Sequence, residues 1–339
     1  KRTHPAWMAC TGLILFMVLR FLCLFCGKIQ HTVKVYRSLA EFNTLECAVA
    51  TTGTFDGVHL GHQKIVNQLV QTARKVGGKS VLLTFDPHPR VILQPDVELK
   101  LLSSIEEKIE LLEKTGLDHL IIHPFSKEFS RTPSLEFVRE ILVNTIGVKH
   151  LVIGYDHHFG RNREGSFEHL KEFGPIYGFE VQEISALDVE SVNVSSTKIR
   201  QALHRGDVDL AAEYLGHPFT LSGTVIQGDQ IGRTIGFPTA NIGLDFARKL
   251  VPSDGVYLGF LHIDGQTFKA MANIGRRPTV GATQRSVEVH ILNFDGDLYG
   301  KRICFEVSKK HREVYHFNTL EDLKRQLAKD RDAAQTELA

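Results

Sequence analysis

Between residues 46 and 190, short apolar runs alternate with longer stretches whose apolar positions recur every three or four residues. Cys47–Thr51, Ser80–Phe85, Leu120–Ile122, His150–Ile153 and Phe179–Ile184 are brief and rich in β-branched residues, as buried strands require. In Gln63–Arg74, Ile65, Val66, Leu69, Val70 and Ala73 fall on one helical face. Ser103 or Ser104, followed three residues later by Glu106 or Glu107, makes a capping box for a helix running to Lys114. Pro133 opens another helix, with Phe137, Ile141 and Leu142 inward. Strands that alternate with helices predict an α/β domain: a doubly wound parallel sheet covered on both faces, with ligands at the carboxyl ends of its strands.

The pattern changes after Leu215. Val256–His262, Thr267–Ile274 and Ser286–Phe294 alternate in steps of two, and Asp264-Gly265 and Asp295-Gly296 punctuate them as turns. This predicts an antiparallel barrel or sandwich, closed by an amphipathic helix over Leu320–Leu327. The expected division is a first domain over 33–206, a linker over 207–216 and a second domain over 217–332, with the boundary in the helical segment Asp207–Leu215. Residues 1–32 read differently. Trp7 to Phe25 is mostly apolar but interrupted by Arg20, which suits an extension outside the fold better than a membrane anchor, the alternative reading. The first regular element is expected at Thr32–Tyr36.

Composition narrows the partners. Forty Lys+Arg face 39 Asp+Glu, so nothing in the bulk charge points to nucleic acid or to stable membrane association, and phosphate binding must be local to particular loops. Five cysteines make no disulfide framework in a chain of 339 residues. Cys23 and Cys26 have redox-pair spacing, but no second pair accompanies them. The expectation is a reduced, cytoplasmic protein.

Gly53-Thr54-Phe55-Asp56-Gly57-Val58-His59-Leu60-Gly61-His62 links the first of these buried strands to its helix. Glycines bring backbone N–H groups close to phosphates, and the helix start adds unsatisfied donors. His59 and His62, three apart, can both face a triphosphate and stabilise charge as its α-phosphate is attacked. The plain alternative is a Gly-rich turn with two solvated histidines. Ser195-Ser196-Thr197-Lys198-Ile199-Arg200 sets hydroxyls at a helix start with a cation one turn on; alone it is also an ordinary capped helix. Gly154 to Arg163, including Asp156, His157, Phe159 and Arg161, follows a strand as a candidate binding loop. Asp86-Pro87-His88-Pro89 is either a pocket wall or a proline-fixed turn.

The second domain has no Walker loop. It carries Gly223, Gly228 and Gly232-Arg233-Thr234-Ile235-Gly236-Phe237-Pro238-Thr239-Ala240-Asn241, where glycines free the backbone for phosphates and Thr and Asn oxygens suit Mg²⁺. A Gly/Pro-rich hairpin connection is the plain alternative. In Ser286–Leu292 the alternation sends Val287, Val289 and Ile291 to one face and Glu288 and His290 to the other. A carboxylate on a rigid strand can take a proton from a substrate hydroxyl; a solvent-facing residue is the bland reading.

Together these motifs resemble two known families. H-x-G-H after a strand and S-S-T-x-x-R late in the domain are similar to the nucleotidylyltransferase superfamily. G-x-F-D-G-V-H-x-G-H, T-F-x-P-H-P and G-x-D-x-x-F-G-x-x-R resemble its FAD-synthetase module. G-F-P-T-A-N, G-V-Y, N-I-G-x-R-P-T, V-E-x-H-I-L and D-L-Y-G resemble riboflavin kinases. The resemblance implies a Rossmann-like first domain and a β-barrel second domain, over about residues 33 to 330. It implies a bifunctional enzyme that uses ATP and Mg²⁺ to make FMN from riboflavin and FAD from FMN. Its implied ATP and phosphate contacts are Gly53, Phe55, Asp56, Gly57, His59, Gly61, His62, Ser195, Ser196, Thr197 and Arg200, and in the kinase Gly228, Gly232, Arg233, Gly236 and Pro238. Thr239 and Asn241 would bind Mg²⁺ and Glu288 would be the kinase base. His88, Asp156, Phe159, Arg161, Arg312 and Phe317 would line flavin or nucleotide. Two departures stand out: His157 where the family commonly has Phe, and Val314 where it has Glu. The first suggests, as an alternative, a transferase domain specialised for another acceptor. A silent flavin-binding regulator would not need His59, His62, Thr239, Asn241 and Glu288.

Overall fold

Six parallel strands form the first sheet: β1 (Lys34–Tyr36), β2 (Ala48–Thr52), β3 (Lys79–Asp86), β4 (His119–Pro124), β5 (Val148–Gly154) and β6 (Glu180–Ile184), in the order β1-β4-β3-β2-β5-β6. The computed structural model describes residues 32–154, 158–184, 194–228, 231–276 and 285–338. The expected extension therefore lies outside the described residues apart from Thr32, and so do Asp156 and His157. No helix among the described residues is long and apolar enough to cross a membrane.

The strands' alternation builds two cores. Ala48, Ala50, Val81, Leu83, Leu151 and Ile153 face one side, against α3 (Phe137–Ile146) and α4 (Phe167–Tyr177). Val49, Leu82, Leu120 and Val152 face the other, against α1 (Leu60–Val76) and α2 (Ile105–Glu113). Successive strand residues point to opposite faces, so a sheet covered twice needs continuous apolar runs, which is what the sequence supplies. Phe137, Ile141 and Leu142 are buried as expected, although α3 is wound as a π-helix. The capping box forms between Ser104 and Glu107. The strand order reverses between β2 and β5, and the crevice at that switch point is the favoured ligand position in such sheets.

The second domain is a closed antiparallel barrel of β7 (Phe219–Ile226), β8 (Ala240–Leu244), β9 (Gly255–Ile263), β10 (Gln266–Arg276), β11 (Arg285–Ile291) and β12 (Arg302–Arg312), ordered β10-β11-β8-β7-β12-β9. Closure removes the sheet edges that a sandwich would leave. Asp264 (φ 49°) and Gly265 (φ 76°) form the left-handed turn joining β9 to β10. β11 ends at Ile291, short of the expected Phe294, and Asn293 just beyond it takes φ 56°.

Helices α5 (Ser196–Arg205) and α6 (Val208–Leu215) join the halves. Ile199, Ala202, Leu203, Val208, Ala211 and Leu215 belong to the same buried cluster as Phe219, Tyr257 and Phe305 of the barrel. The last helix, α7 (Leu320–Glu337), runs ten residues past the apolar segment seen in the sequence and packs Ala334 with Leu258 and Met271.

Candidate active sites

The loop after β2 sits at the switch point and is held in a strained shape. Phe55 and Val58 have φ of 47° and 41°, and Gly57 has φ 79°. A β-branched residue with positive φ is uncommon and costs on the order of 1–3 kcal/mol. Internal bonds fix it: Gly53 N–H donates to Leu83 O (3.0 Å) and Gly57 N–H to Ser103 Oγ (3.1 Å). Asp56 is 2% exposed; its carboxylate accepts from the N–H groups of Leu102 (2.9 Å) and Ser103 (3.2 Å) and from Arg200 Nη2 (2.5 Å). Arg200 also donates to Lys100 O (2.8 Å), and Ser196 Oγ donates to Asp56 O (3.2 Å). Asp56, expected among the phosphate contacts, thus has its side chain occupied in shaping the loop and tethering Arg200. A Cβ on Gly57 would come within 2.9 Å of Leu102, so glycine is needed there for space as well as conformation.

His59 caps α1, and its Nδ1 accepts from His62 N–H (3.4 Å), which leaves its proton on Nε2. The two rings stack with centroids 3.6 Å apart, and Phe55 flanks His62 at 4.9 Å. Gly61 is buried between them in the chain. Nδ1 of His62 is buried without a hydrogen-bond partner among the described residues, a state that native proteins tolerate where a ligand completes the bond. Burial pushes His59 down to about 4 against the opposing pull of Asp56. Burial likewise takes His62 well below the ordinary imidazole value, with His59 and Lys108 adding to the effect. His88, whose Nδ1 accepts from Arg90 N–H (3.1 Å), is lowered to about 4 by burial, opposed by Asp56. All three imidazoles are therefore neutral near pH 7. Ser195 caps α5, and Ser195 and Thr197 expose their hydroxyls at its start.

Other expected residues lie elsewhere. Phe159 is 7% exposed in the core, 5.7 Å from Phe137, and a Cβ on Gly165 would strike its ring. Arg161 is exposed and faces Glu164 (3.7 Å). Arg312 is tied to the fully buried Asp330 of α7 (2.6 Å), and Phe317 is half-buried.

In the barrel, Glu288 of β11 stands between Asn241 of β8 and Asn273 of β10 in the strand register. Val287 and Val289 fill the interior, so the alternation read from the sequence holds. His290, on the Glu288 face, donates from Nδ1 to Pro238 O (2.8 Å), and burial lowers its pKa. Phe237 packs on that ring at 5.3 Å. Gly232 carries no side chain where a Cβ would collide with Phe237 O and reach 3.5 Å from Thr239 Oγ1, so the Gly232–Thr239 segment folds tightly back on itself. Gly236 uses φ 84°; Arg233, Pro238 and Thr239 are exposed, Asn241 is 8% exposed and Gly228 is half-buried.

Sequence reasoning missed Lys108 and Lys249. Lys108 is 6% exposed, and its Nζ donates to Thr54 O (2.8 Å) inside the loop. Lys249 is 5% exposed, and its Nζ donates to Glu107 Oε2 (2.6 Å) and Leu102 O (2.8 Å). Lys108 left a readable signal: it shares the inward stripe of α2 with Ile105 and Leu112, where a lysine is out of place.

Two family models match this geometry half by half. Residues 42–198 match the FAD synthetase model and residues 215–338 the riboflavin kinase model. The chain is 40% identical over 287 residues to a bifunctional riboflavin kinase/FMN adenylyltransferase from Pseudomonas fluorescens, covering 84% of this chain and 91% of that one. The chain belongs to the bifunctional riboflavin kinase/FMN adenylyltransferase family. The Escherichia coli K12 member is 38% identical over 286 residues, at 84% and 91% coverage. A crystallised Streptococcus pneumoniae protein described as a macrolide-efflux protein shares the fold at TM-score 0.81 and 30% identity, over 90% of this chain and 99% of that one. In this bifunctional riboflavin kinase/FMN adenylyltransferase, the sheet domain is the FAD synthetase module and the barrel the riboflavin kinase module.

Proposed function

We propose that the Gly53–His62 loop carries the adenylyl transfer and that Glu288 carries the phosphorylation. The stacked His59/His62 pair, with a buried ring nitrogen awaiting a partner at the switch point, is the observation that supports this most. In the first module a phosphate oxygen of FMN attacks the α-phosphorus of ATP. The new P–O bond forms as the bond to the β-phosphate oxygen breaks, giving FAD and pyrophosphate. The acceptor is already an anion, so no general base is required. The neutral histidines act as hydrogen-bond donors to phosphate oxygens where charge shifts, while the loop's backbone and the hydroxyls of Ser195, Ser196 and Thr197 hold the polyphosphate.

In the barrel, the ribityl 5′-hydroxyl of riboflavin attacks the γ-phosphorus of a second ATP and gives its proton to Glu288; the bond from the γ-phosphorus to the β,γ-bridging oxygen breaks, giving FMN and ADP. The neighbouring asparagines keep that carboxylate oriented. Mg²⁺ fits the donor set: Thr239 and Asn241 offer hard oxygens beside the folded-back Gly232 segment, too few to hold the ion without phosphate oxygens. When bound it would neutralise phosphate charge. The ATP demand and the half-buried thiols of Cys47 and Cys304 among the described residues suit a cytoplasmic enzyme.

The test is a time course with riboflavin, ATP and Mg²⁺, followed by chromatography. The wild-type chain should make FMN first and then FAD. His62→Ala should stop at FMN, and Glu288→Gln should make FAD from supplied FMN but not from riboflavin. Wild-type rates of FAD synthesis in His62→Ala, or of FMN synthesis in Glu288→Gln, would remove the corresponding assignment.

A further inference from the structure

His59 and His62, expected to meet ATP's negative charge in the FAD synthetase module, and His88, expected to line flavin or nucleotide, are uncharged near neutral pH. His59, His62 and His88 are all held neutral by burial. Arg200 is charged, but Asp56 sits 2.5 Å from its guanidinium and offsets it. Four phosphate-type charges would therefore arrive at a site whose apparent cations are silent or already matched.

Lys108 differs. It projects from α2 toward the underside of the loop, is 6% exposed, and its ammonium donates to the carbonyl of Thr54 at 2.8 Å. Thr84 Oγ1 shares that carbonyl at 3.2 Å. No carboxylate among the described residues touches Lys108, and two of its three N–H donors have no protein partner there. Its charge acts at both His62 and His88, lowering their pKa values further. Burial lowers its pKa, while Asp56 and Asp86, at longer range, act to keep it charged. A buried ammonium without a contacting counter-ion is costly. Such a cost persists where a ligand supplies the missing negative charge.

We propose that Lys108 is a catalytic residue of the FAD synthetase module, donating its two remaining N–H groups to ATP phosphate oxygens beneath the Gly53–His62 loop. It is the cation for the charge that builds on the departing pyrophosphate, and its bond to Thr54 O keeps the loop and the ammonium at fixed separation. This rests on the adenylyl-transfer reading of that loop.

The full-length Lys108→Met and Lys108→Arg proteins test it, assayed for FAD synthesis from FMN, for FMN synthesis from riboflavin, and for thermal melting, with His62→Ala alongside. Lys108→Met should lose about 100-fold or more in FAD synthesis, keep kinase activity within about twofold of wild type, and melt at the same or a higher temperature because a buried charge has gone. Lys108→Arg should recover part of the rate. Full FAD synthesis in Lys108→Met would overturn the proposal, and so would a lowered melting temperature with both activities lost together, the mark of a purely structural lysine. If His62→Ala is also fully active, the reading of the loop falls with it; if His62→Ala is inactive while Lys108→Met is not, only the lysine's role falls.

Discussion

His59 shows how one residue's surroundings set both its chemistry and its cost. Buried at the start of α1 and stacked on His62, it titrates near 4 in the folded chain against an ordinary 6.5. Below pH 6.5 the unfolded chain takes up the proton first, so stability is complete above that value and drains away as pH falls toward 4. The shift corresponds to a loss on the order of 3 kcal/mol from this side chain alone. Melting temperature should therefore fall steadily between pH 6.5 and 4, and His59→Asn should flatten that decline. An unchanged slope in the variant would place the titration elsewhere. The histidines themselves were legible once H-x-G-H after a buried strand was read together with S-S-T-x-x-R late in the domain, since alone it could be a Gly-rich turn with solvated histidines. Their neutrality was not, because it comes from burial by side chains distant in sequence. Lys108 was legible only as an anomaly on an apolar stripe; what it reaches depends on how α2 lies under the loop.

Elements whose pattern is local were read correctly, and those shaped by tertiary contacts were not. The strands of the first sheet appear within two residues of expectation; the central ones, such as Ala48–Thr52, are apolar enough to demand burial on both faces, while the edge strand Glu180–Ile184 keeps only Ile184 buried. The last helix was read only as far as Leu327, where its obvious apolar repeat fades. It continues to Glu337 because Asp330, fully buried, gathers Arg312 (2.6 Å), Gln326 (2.8 Å) and His311 (3.4 Å). A buried aspartate cannot be recognised from its own segment. Replacing Asp330 with Ala should cost roughly 3–5 kcal/mol by stranding Arg312, seen as a lowered urea midpoint and faster amide exchange along α7. Arg312→Met with Asp330→Leu should restore much of it, and a double variant no better than the single would mean that the ion pair is not what fastens the helix.

Across the whole molecule, the two modules are joined by more than their linking helices. Leu101 bridges to Lys249 in parallel, with Leu101 N–H donating to Arg248 O and Leu250 N–H to Leu101 O, each at 2.8 Å. Lys249 buries its ammonium against Glu107 and over the ring of Phe219 (4.5 Å). Gln63 of α1 donates to Leu215 O (2.8 Å), and His217 donates to Gly57 O (3.1 Å). The strap over 100–104 thus touches the kinase barrel on one side and holds Asp56 on the other. Lys249→Met should cost about 3 kcal/mol or more and lower FAD synthesis several-fold more than FMN synthesis, although Lys249 belongs to the kinase half. Equal losses in both activities would show that the strap transmits nothing specific to the loop.

The buried cluster that runs from α5 and α6 into the barrel bears on how such a gene can be divided or inherited. A cut after codon 206 would leave α5, with Ile199, Ala202 and Leu203, facing water on the first fragment. A cut before codon 196 would carry Arg200 away with the wrong fragment and leave Asp56 without its counter-ion. Neither boundary leaves both fragments with their packing and ion pairs intact.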